Sequence, residues 1–166
     1  MKKTLNIASG ERTYEEYPEG YICLNMDERE NLAVVDIVGD VTDLSRFPDE
    51  EFDYLLASDI LEHFPIKLTV ALLREWGRVL KVSGILELRV PNFEAILRHY
   101  SEHKNMQHVS WMIMGGQDYP GNYHFVVFNE QFLREICEHV GYVFLSCEEE
   151  DPNIVMKVKK IEGLHI

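Results

Sequence analysis

Polar side chains that could bind or activate a ligand follow a short apolar run in the middle of the chain. The run covers residues 52–57 (FDYLLA), and Ser58, Asp59, Glu62 and His63 come directly after it. An apolar run of this length is typical of a strand buried on both faces of a parallel sheet. Because ligands of such sheets bind outside the carboxyl ends of the strands, we expect these hydroxyl, carboxylate and imidazole groups beside a ligand site.

The adjacent pair Glu62 and His63 has a simpler interpretation. Pro65 follows closely and suits the first turn of a helix, since its missing N–H costs nothing there. A capped turn ahead of this proline explains both side chains. We therefore assign them a structural role and do not predict that His63 is catalytic.

A second group of polar and aromatic residues lies in a loop later in the chain. Its members are Gln117, Asp118, Tyr119, Tyr123 and His124. His124 is the best candidate for a general base, because imidazole titrates near neutral pH. The alternative is that His124 hydrogen-bonds a loop backbone and packs under Phe125, and the residue types leave both interpretations open.

The amino-acid composition indicates which class of partner the protein binds. The 166 residues carry a net charge of −13, from 29 acidic and 16 basic side chains. Binding a nucleic acid through its phosphates requires clustered Lys and Arg, so no nucleic-acid partner is expected. A small-molecule substrate fits this composition better, and the oligomeric state stays open.

The cysteines and the apolar stretches bear on the compartment. Cys23, Cys137 and Cys147 show no CxxC spacing, so they predict neither a zinc site nor a disulfide framework, and no metal is expected. The apolar stretch after Met1 is too short for a signal peptide. No stretch approaches membrane-spanning length, so we expect a cytoplasmic protein that does not bind a membrane.

Strand-like and helix-like patterns alternate along the chain. Strands are predicted at residues 5–8, 21–26, 32–38, 52–57, 85–90, 142–147 and 154–158, and helices at 65–80, 93–102, 105–116 and 130–140. Asn92 and Asn129 are predicted N-caps, and Gly141 a left-handed C-terminal residue. In the first helix one apolar face is predicted from Leu68, Ala71, Leu72, Trp76, Val79 and Leu80, and Ser83-Gly84 is predicted to end the helix.

This order predicts one α/β domain over residues 1–166. The sheet is mostly parallel, with seven strands, and the closing hairpin supplies one antiparallel strand near the edge. The first crossover, between Gly10 and Tyr21, has room only for an abbreviated helix, because Pro18 and Gly20 weaken helix formation there.

Two stretches of the sequence resemble a known family. FDYLLASDILEHF (residues 52–64) follows the pattern F-D…L-E-H-F, and LREWGRVLKVSGILELRVPN (residues 73–92) follows L-x-E-x-x-R-V-L-K-P-G-G…P-N except at Val82 and Ser83. The matching residues of the second stretch are Leu73, Glu75, Arg78, Val79, Leu80, Lys81, Gly84, Pro91 and Asn92. The pattern is similar to that of class I S-adenosylmethionine-dependent methyltransferases, most of all short methyltransferase-domain proteins of the type 11 kind. The resemblance covers about residues 4–158. It implies a Rossmann-like class I methyltransferase sheet and S-adenosylmethionine as cofactor.

The resemblance assigns cofactor roles to residues near the strand ends. The Gly-rich turn after the first strand corresponds to Ile7, Ala8 and Gly10, where Ala8 replaces the usual glycine. Asp27 corresponds to the carboxylate that accepts hydrogen bonds from the ribose hydroxyls. Met26 corresponds to a side chain that packs on the adenine.

Three further positions complete the implied cofactor site. Asp40 corresponds to the contact with the adenine amino group, and Val41 offers its backbone N–H. Ser58 begins the turn that lines the methionine part of the cofactor. Taken singly, each aspartate is equally explained as an ordinary turn or cap residue.

The resemblance also places substrate contacts in the later loop, at Gln117, Asp118, Tyr119 and Tyr123. It implies methyl transfer to a small molecule, by analogy a sugar or another hydroxylated metabolite. O-methyl transfer would use His124 as base, whereas N-methyl transfer needs only positioning. Ala8 and the abbreviated crossover favour an alternative, a catalytically degenerate binding or interaction module. An NAD-dependent dehydrogenase is disfavoured, because no GxGxxG turn opens a helix.

Overall fold

The protein is an α/β structure in which strands and helices alternate. The computed structural model describes residues 2–8, 21–27, 36–119 and 121–162, with only the backbone described at 21–25 and 27. The strands of this part are β1 (Lys2–Ile7), β2 (Tyr21–Asp27), β3 (Ile37–Val38), β4 (Phe52–Ser58), β5 (Leu80–Pro91), β6 (Tyr142–Glu150) and β7 (Asn153–Lys160). The helices are α1 (Ile66–Val79), α2 (Phe93–His103), α3 (Met106–Met114) and α4 (Glu130–Val140), and a short 3₁₀ turn covers Leu61–His63.

The strands of the described residues form one sheet in the order β3-β2-β1-β4-β5-β7-β6. Neighbours from β3 to β5 pair parallel, whereas β7 runs antiparallel to both β5 and β6. The α/β sheet with one antiparallel strand beside the edge is therefore confirmed. The chain order reverses between β1 and β4, and ligands of open α/β sheets bind at such a switch point. The predicted abbreviated crossover lies outside the described residues.

Helix α1 buries a stripe that differs in part from the prediction. Leu68 and Ala71 are exposed, whereas Thr69 and Leu73 are buried beside Trp76. The buried positions recur at intervals of three and four residues, and Leu68 and Ala71 stand one position off that stripe. The prediction for these two residues was wrong, since hydrophobicity alone does not fix which stripe meets the sheet.

The end of α1 also differs from the prediction. The helix ends at Val79, and Leu80 is already extended (φ −83°, ψ 134°) and begins β5. Ser83 has a φ of +66° inside this strand. The Ser83-Gly84 pair is therefore an irregularity within β5 and not the helix end.

The predicted helix caps are confirmed. Asn92 Oδ1 accepts a hydrogen bond from the Glu94 N–H at 3.1 Å, and Asn129 Oδ1 accepts one from the Phe132 N–H at 2.9 Å. Gly141 closes α4 with a φ of +109°. These caps satisfy N–H and C=O groups that a helix leaves without partners at its ends.

Helix α1 also fixes the loop that follows β3. Trp76, fully buried, donates its Nε1–H to the carbonyl oxygen of Val41 at 3.0 Å. Arg78 donates to the carbonyl oxygens of Leu44 (2.9 Å) and Phe47 (3.0 Å) and pairs with Glu75. Residues 41–47 are thereby held at the carboxyl end of the sheet. No helix in the described part of the chain is long and apolar enough to span a membrane.

Candidate functional site

Two cavities open beside the carboxyl ends of the parallel strands. The first, here called the β1 cavity, has a volume of about 290 Å³. Its walls include Ala8, Asp40, Val41, Ile60 and Phe64. It lies at the switch point between β1 and β4, where an open α/β sheet binds its ligand.

The second cavity, here called the loop cavity, has a volume of about 430 Å³. Its walls include Glu62, Arg89, Trp111, Met112, His124 and Asn153. Asp59, His63 and Tyr119 line both cavities, so the two spaces adjoin. This arrangement can hold two small molecules side by side, with shared residues at their junction.

The end of β1 adopts the backbone of a glycine-type turn. Ile7 and Met26 pair in register and are fully buried. Ala8, which lines the β1 cavity, has a φ of +58°. The left-handed region costs an L residue roughly 1–2 kcal/mol and costs glycine nothing, which explains why glycine is usual at this position. The alanine is accommodated here with its methyl group at the cavity wall.

Two of the predicted cofactor contacts remain predictions. Gly10 lies outside the described residues, and so does the side chain of Asp27. The backbone of Asp27 ends β2 and pairs with Val38. This position, at the carboxyl end of a strand next to β1, is the one that the ribose assignment requires.

Asp40 combines a turn role with a place at the cavity. Its Oδ1 accepts hydrogen bonds from the N–H (2.8 Å) and the hydroxyl (2.7 Å) of Thr42. The residue is exposed and lines the β1 cavity. Both interpretations of Asp40 are thus compatible, because the turn uses one carboxylate oxygen.

At the end of β4, where Ser58 is predicted to line the ligand site, Ser58 is buried and Asp59 contributes to the cavity wall. Ser58 ends β4, is buried, and donates its hydroxyl to Asp59 Oδ2 at 3.0 Å. Asp59, with a φ of +53°, forms the cavity wall at this point. Arg89 pairs with Asp59 and also reaches Glu150 Oε2 at 2.9 Å. Asn153 donates to Asp59 Oδ1 at 2.9 Å, so the carboxylate at the junction of the cavities is held from several sides.

Glu62 has no capping role. Its side chain is 1% exposed, and neither carboxylate oxygen has a hydrogen-bond partner among the described residues. No side chain caps the first turn of α1 at Pro65. Burial raises the pKa of the Glu62 carboxyl to about 8, and the nearby charge of Asp59 adds to the shift. The capped turn that the sequence offers as an explanation of Glu62 is therefore not formed, and a buried carboxyl without partners costs free energy in the fold.

His63 and His124 contact each other edge to face in the wall of the loop cavity. Their rings are perpendicular, with centroids 4.8 Å apart. His63 Nδ1 donates to the carbonyl oxygen of Gly121 at 2.9 Å, and His124 Nδ1 donates to that of Met112 at 3.0 Å. Because a carbonyl only accepts, Nδ1 carries the proton in each ring and Nε2 keeps its lone pair. Burial lowers the pKa of both imidazoles, and His63 lowers that of His124 further.

His124 lies beside Glu62 and His63 in the fold, although it is distant from them in the sequence. One ligand atom from each of Glu62, His63 and His124 can be chosen so that all three lie within 4.8 Å of one another. The Phe125 N–H donates to the Glu62 carbonyl oxygen at 2.8 Å, which fastens the later loop to the 3₁₀ turn. We predicted no metal ligands from the sequence, yet the fold creates this cluster.

Comparisons with known proteins identify the architecture. The family described as "Methyltransferase domain" matches residues 19–88. A Burkholderia thailandensis 1,6-didemethyltoxoflavin-N1-methyltransferase, solved with its substrate and S-adenosylhomocysteine, has a TM-score of 0.69 and 14% identity, over 97% of this chain and 72% of that one. The chain has the fold of a class I S-adenosylmethionine-dependent methyltransferase.

Other solved structures agree with this class I methyltransferase fold. A Methanosarcina mazei SAM-dependent methyltransferase has a TM-score of 0.69 and 17% identity, over 96% of this chain and 92% of that one. An Archaeoglobus fulgidus SAM-dependent methyltransferase has a TM-score of 0.67 and 17% identity, over 96% of this chain and 86% of that one. No curated protein sequence matched the chain. The resemblance to this family that the sequence indicates is confirmed.

The loop between α3 and α4 folds back on itself in this methyltransferase fold. The Gln117 N–H donates to the Asn122 carbonyl oxygen at 2.9 Å, and the His124 N–H donates to that of Met114 at 3.0 Å. Gly115 has a φ of +79°, and a Cβ there would lie 2.6 Å from the Asn122 carbonyl oxygen. Glycine is therefore required for the close approach that brings His124 into the loop cavity.

The predicted substrate contacts have different positions in this loop. Tyr119 lines both cavities, whereas Gln117, Asp118 and Tyr123 are absent from the described cavity walls. Asp118 accepts a hydrogen bond from Asn122 Nδ2 at 2.5 Å, and Gln117 Nε2 donates to the Met114 carbonyl oxygen at 3.4 Å. Their side chains stabilise the loop here, and their contact with a substrate stays a prediction.

Several wall residues were not predicted from the sequence. Arg89, Trp111, Met112, Asn122 and Asn153 contribute to the loop cavity. Arg89 and Asn153 lie on the antiparallel β5–β7 pair, which is visible in the sequence only as two strands. Asp59, which also lines this cavity, is among the residues that the sequence places beside a ligand site, since it directly follows a buried strand. The backbone hydrogen bond in the alternative for His124 is present, since its Nδ1 bonds to the Met112 carbonyl oxygen, while Phe125 is 61% exposed.

Proposed function

We propose that the chain is a methyltransferase that binds S-adenosylmethionine in the β1 cavity and methylates a hydroxyl group of a small molecule in the loop cavity. One observation carries this proposal: the two cavities adjoin at the switch point and share Asp59, His63 and Tyr119. Methyl transfer requires donor and acceptor in contact, and the shared wall supports a binding mode in which the two ligands meet. The volumes, about 290 and 430 Å³, suit small ligands.

The cofactor assignment follows the walls of the β1 cavity. Ala8, Asp40 and Val41 line it, and the methyltransferase from Burkholderia thailandensis with the same fold holds S-adenosylhomocysteine. In the proposed binding mode Asp27 holds the ribose hydroxyls and Met26 supports the adenine. Gly10 and Ile7 complete the turn beside the methionine part, next to Ser58.

The chemistry asks little of the protein beyond alignment. The sulfonium of the cofactor already activates the methyl group, so the protein supplies orientation and removes the acceptor proton. His124 suits the second task, because its Nδ1 is held by the Met112 carbonyl oxygen, its Nε2 is left with the lone pair, and the residue lines the loop cavity. Its pKa is lowered by burial, so the ring is neutral at pH 7 and able to accept a proton.

The proposal also specifies which kind of atom receives the methyl group. Solved structures with this fold include a methyltransferase acting on a ring nitrogen and another described as a carbon methyltransferase. We favour oxygen, because a hydroxyl needs a base and the loop cavity offers one, while an amine needs only positioning. In this proposal a sugar or another hydroxylated metabolite contacts Asp59, Arg89 and Asn153, the polar part of a wall that also includes the apolar Trp111 and Met112.

A second candidate function is a degenerate methyltransferase-fold module that binds a partner and lacks catalysis. Ala8 favours it, since its φ of +58° places a methyl group where the turn usually has glycine. This candidate predicts weak S-adenosylmethionine binding or none.

Calorimetric titration of the purified protein with S-adenosylmethionine and S-adenosylhomocysteine separates the two candidates. We expect micromolar affinity for both ligands, and at least a roughly tenfold loss in Asp27→Ala, which removes charge-assisted hydrogen bonds to the ribose. Asp36→Ala is the matched control, since Asp36 is an exposed aspartate that is not among the described lining residues of the β1 cavity. Absence of binding up to millimolar ligand supports the degenerate module and overturns the enzymatic proposal.

A further inference from the structure

We propose that Glu62, His63 and His124 bind a divalent transition-metal ion, which holds and activates the hydroxyl of the methyl acceptor. This inference rests on the proposed methyl transfer and adds a cation that contacts both the enzyme and the methyl acceptor. It changes how His124 acts: its Nε2 binds the cation, and the cation takes over the activation of the hydroxyl.

The three donors form a set that such ions prefer. Two imidazoles and one carboxylate are the ligands of catalytic zinc in several hydrolases, and of other first-row ions. The ligand atoms of the cluster lie within 4.8 Å of one another. Tetrahedral ligands at zinc stand about 3.4 Å apart, so closing the site takes side-chain movements on the order of an ångström.

Both imidazoles have Nδ1 engaged by the backbone, which leaves Nε2 available for coordination. Each Nδ1–H is donated to a backbone carbonyl oxygen, of Gly121 for His63 and of Met112 for His124. His63 Nδ1 has a second carbonyl oxygen, of Tyr123, at 3.2 Å. A ligating histidine usually donates its other N–H in this way, which fixes the tautomer and directs Nε2 to the metal. The fold thus supplies the outer contacts of a metal site.

The surroundings of the Glu62 carboxyl independently favour a bound cation. It is 1% exposed, lines the loop cavity, and neither oxygen has a hydrogen-bond partner in the described part of the chain. Buried carboxyls are normally paired or bound to a cation. Arg89, the cation nearest in the cavity wall, is occupied by Asp59 and Glu150. A bound metal ion would supply the missing partner.

The cluster leaves room for an acceptor on the cation. Three protein ligands with one open position are typical of catalytic zinc sites, whereas structural sites use four protein ligands. All three ligands line the loop cavity, so the open position faces the space proposed for the acceptor. His63 also lines the β1 cavity, which places the cation near the proposed methyl donor.

The reaction balances without a further reactant. The acceptor hydroxyl binds the cation and loses its proton to solvent, since a bound cation lowers the pKa of coordinated oxygen. The oxygen then forms a bond to the methyl carbon as the carbon–sulfur bond breaks. The products are the methyl ether, S-adenosylhomocysteine and one proton. The acceptor class that fits is a small hydroxylated molecule whose hydroxyl, or a neighbouring oxygen, reaches the cation.

Zinc titration of chelator-treated, dialysed protein tests the site. We expect one Zn²⁺ per chain with micromolar affinity or tighter, and far weaker binding of Mg²⁺, since imidazole ligands favour transition metals. Glu62→Gln keeps the shape of the side chain but removes the charge. It should weaken Zn²⁺ binding by at least about 10- to 100-fold.

Matched controls make the titration decisive. His139→Asn removes an exposed histidine of α4 and should leave Zn²⁺ affinity unchanged. His124→Asn, which removes a ligand, should weaken it as Glu62→Gln does. Absence of saturable Zn²⁺ binding, or equal affinity in wild type and Glu62→Gln, overturns the proposal and returns His124 to the role of direct base.

Cofactor titration of the same samples separates this inference from the proposed function. We expect metal-free protein and Glu62→Gln to bind S-adenosylhomocysteine as the wild type does, because Glu62 does not line the β1 cavity. Cofactor binding without zinc binding refutes only the metal site. Zinc binding without cofactor binding refutes the methyltransferase proposal and leaves a metal site with another use.

Discussion

Individual residues at the two cavities show how burial and hydrogen bonds prepare side chains for chemistry. His63 and His124 are half-buried with Nδ1 fixed by backbone carbonyls, which defines the tautomer of each neutral imidazole. Glu62 is buried without a partner among the described residues. None of these properties belongs to a residue type, because each depends on what the fold places around the side chain.

Replacing His124 by alanine should separate cofactor binding from turnover. We expect unchanged affinity for S-adenosylhomocysteine, because His124 does not line the β1 cavity. Once an acceptor is known, turnover should fall at least about 100-fold, the usual effect of losing a general base. Radiolabelled methyl transfer measures this, with His139→Ala as the control histidine. Unchanged turnover would exclude His124 from the reaction.

Glu62 predicts a dependence of stability on pH in chelator-treated protein. The pKa of its carboxyl is about 8 in the folded state, against an ordinary value of 4.5. Between these values the folded state holds more protons than the unfolded state, so the free energy of unfolding falls as pH rises. Glu62→Gln removes this effect and should be more stable than wild type at pH 8, by about 2–4 kcal/mol.

Denaturant unfolding of the two proteins at pH 5 and pH 8 measures the difference. The advantage of Glu62→Gln should be much smaller at pH 5, where the wild-type carboxyl is protonated in the folded state. An equal difference at both pH values would contradict a buried, unpaired carboxyl.

At the scale of elements, strand ends and helix caps could be predicted, but contacts between elements could not. Asn92, Asn129 and Gly141 were predicted correctly because capping is local chemistry. The exposed positions of Leu68 and Ala71 were missed, since the sheet decides which stripe of α1 is buried. The loop at Gly115 folds back through backbone hydrogen bonds that no residue pattern predicts.

Arg78 links α1 to the loop that lines the β1 cavity and predicts a coupled effect. Arg78→Lys removes hydrogen bonds to the carbonyl oxygens of Leu44 and Phe47, because lysine lacks the planar fork. We expect a loss of about 1–2 kcal/mol in the free energy of unfolding, and roughly tenfold weaker cofactor binding through the displaced Val41. Arg74→Lys is the matched control, since Arg74 is exposed on the same helix.

Denaturant unfolding and calorimetry of both variants check this prediction. If Arg78→Lys lowers stability but leaves cofactor affinity unchanged, the loop after β3 does not depend on this arginine for its position at the cavity.

At the scale of the whole molecule, the parallel sheet gathers distant residues at one edge. Strands β1 and β4 diverge in chain order there, so Ala8, Asp40 and Asp59 line one cavity although they are far apart in the chain. The net charge of −13 agrees with a small-molecule acceptor rather than a nucleic acid. The later loop closes the second cavity against the 3₁₀ turn after β4.

The sequence alone indicated the fold class, the element order, the antiparallel strand beside the edge and the resemblance to a methyltransferase family, because these depend on hydrophobic period, caps and short motifs. It also placed His124 among the candidates for chemistry. Only the tertiary structure decided that Glu62 and His63 join His124, that Ala8 is left-handed, and that Asp59 rather than Ser58 forms the cavity wall. The physical reason is that burial, pKa and coordination depend on distances between segments, which local sequence does not encode.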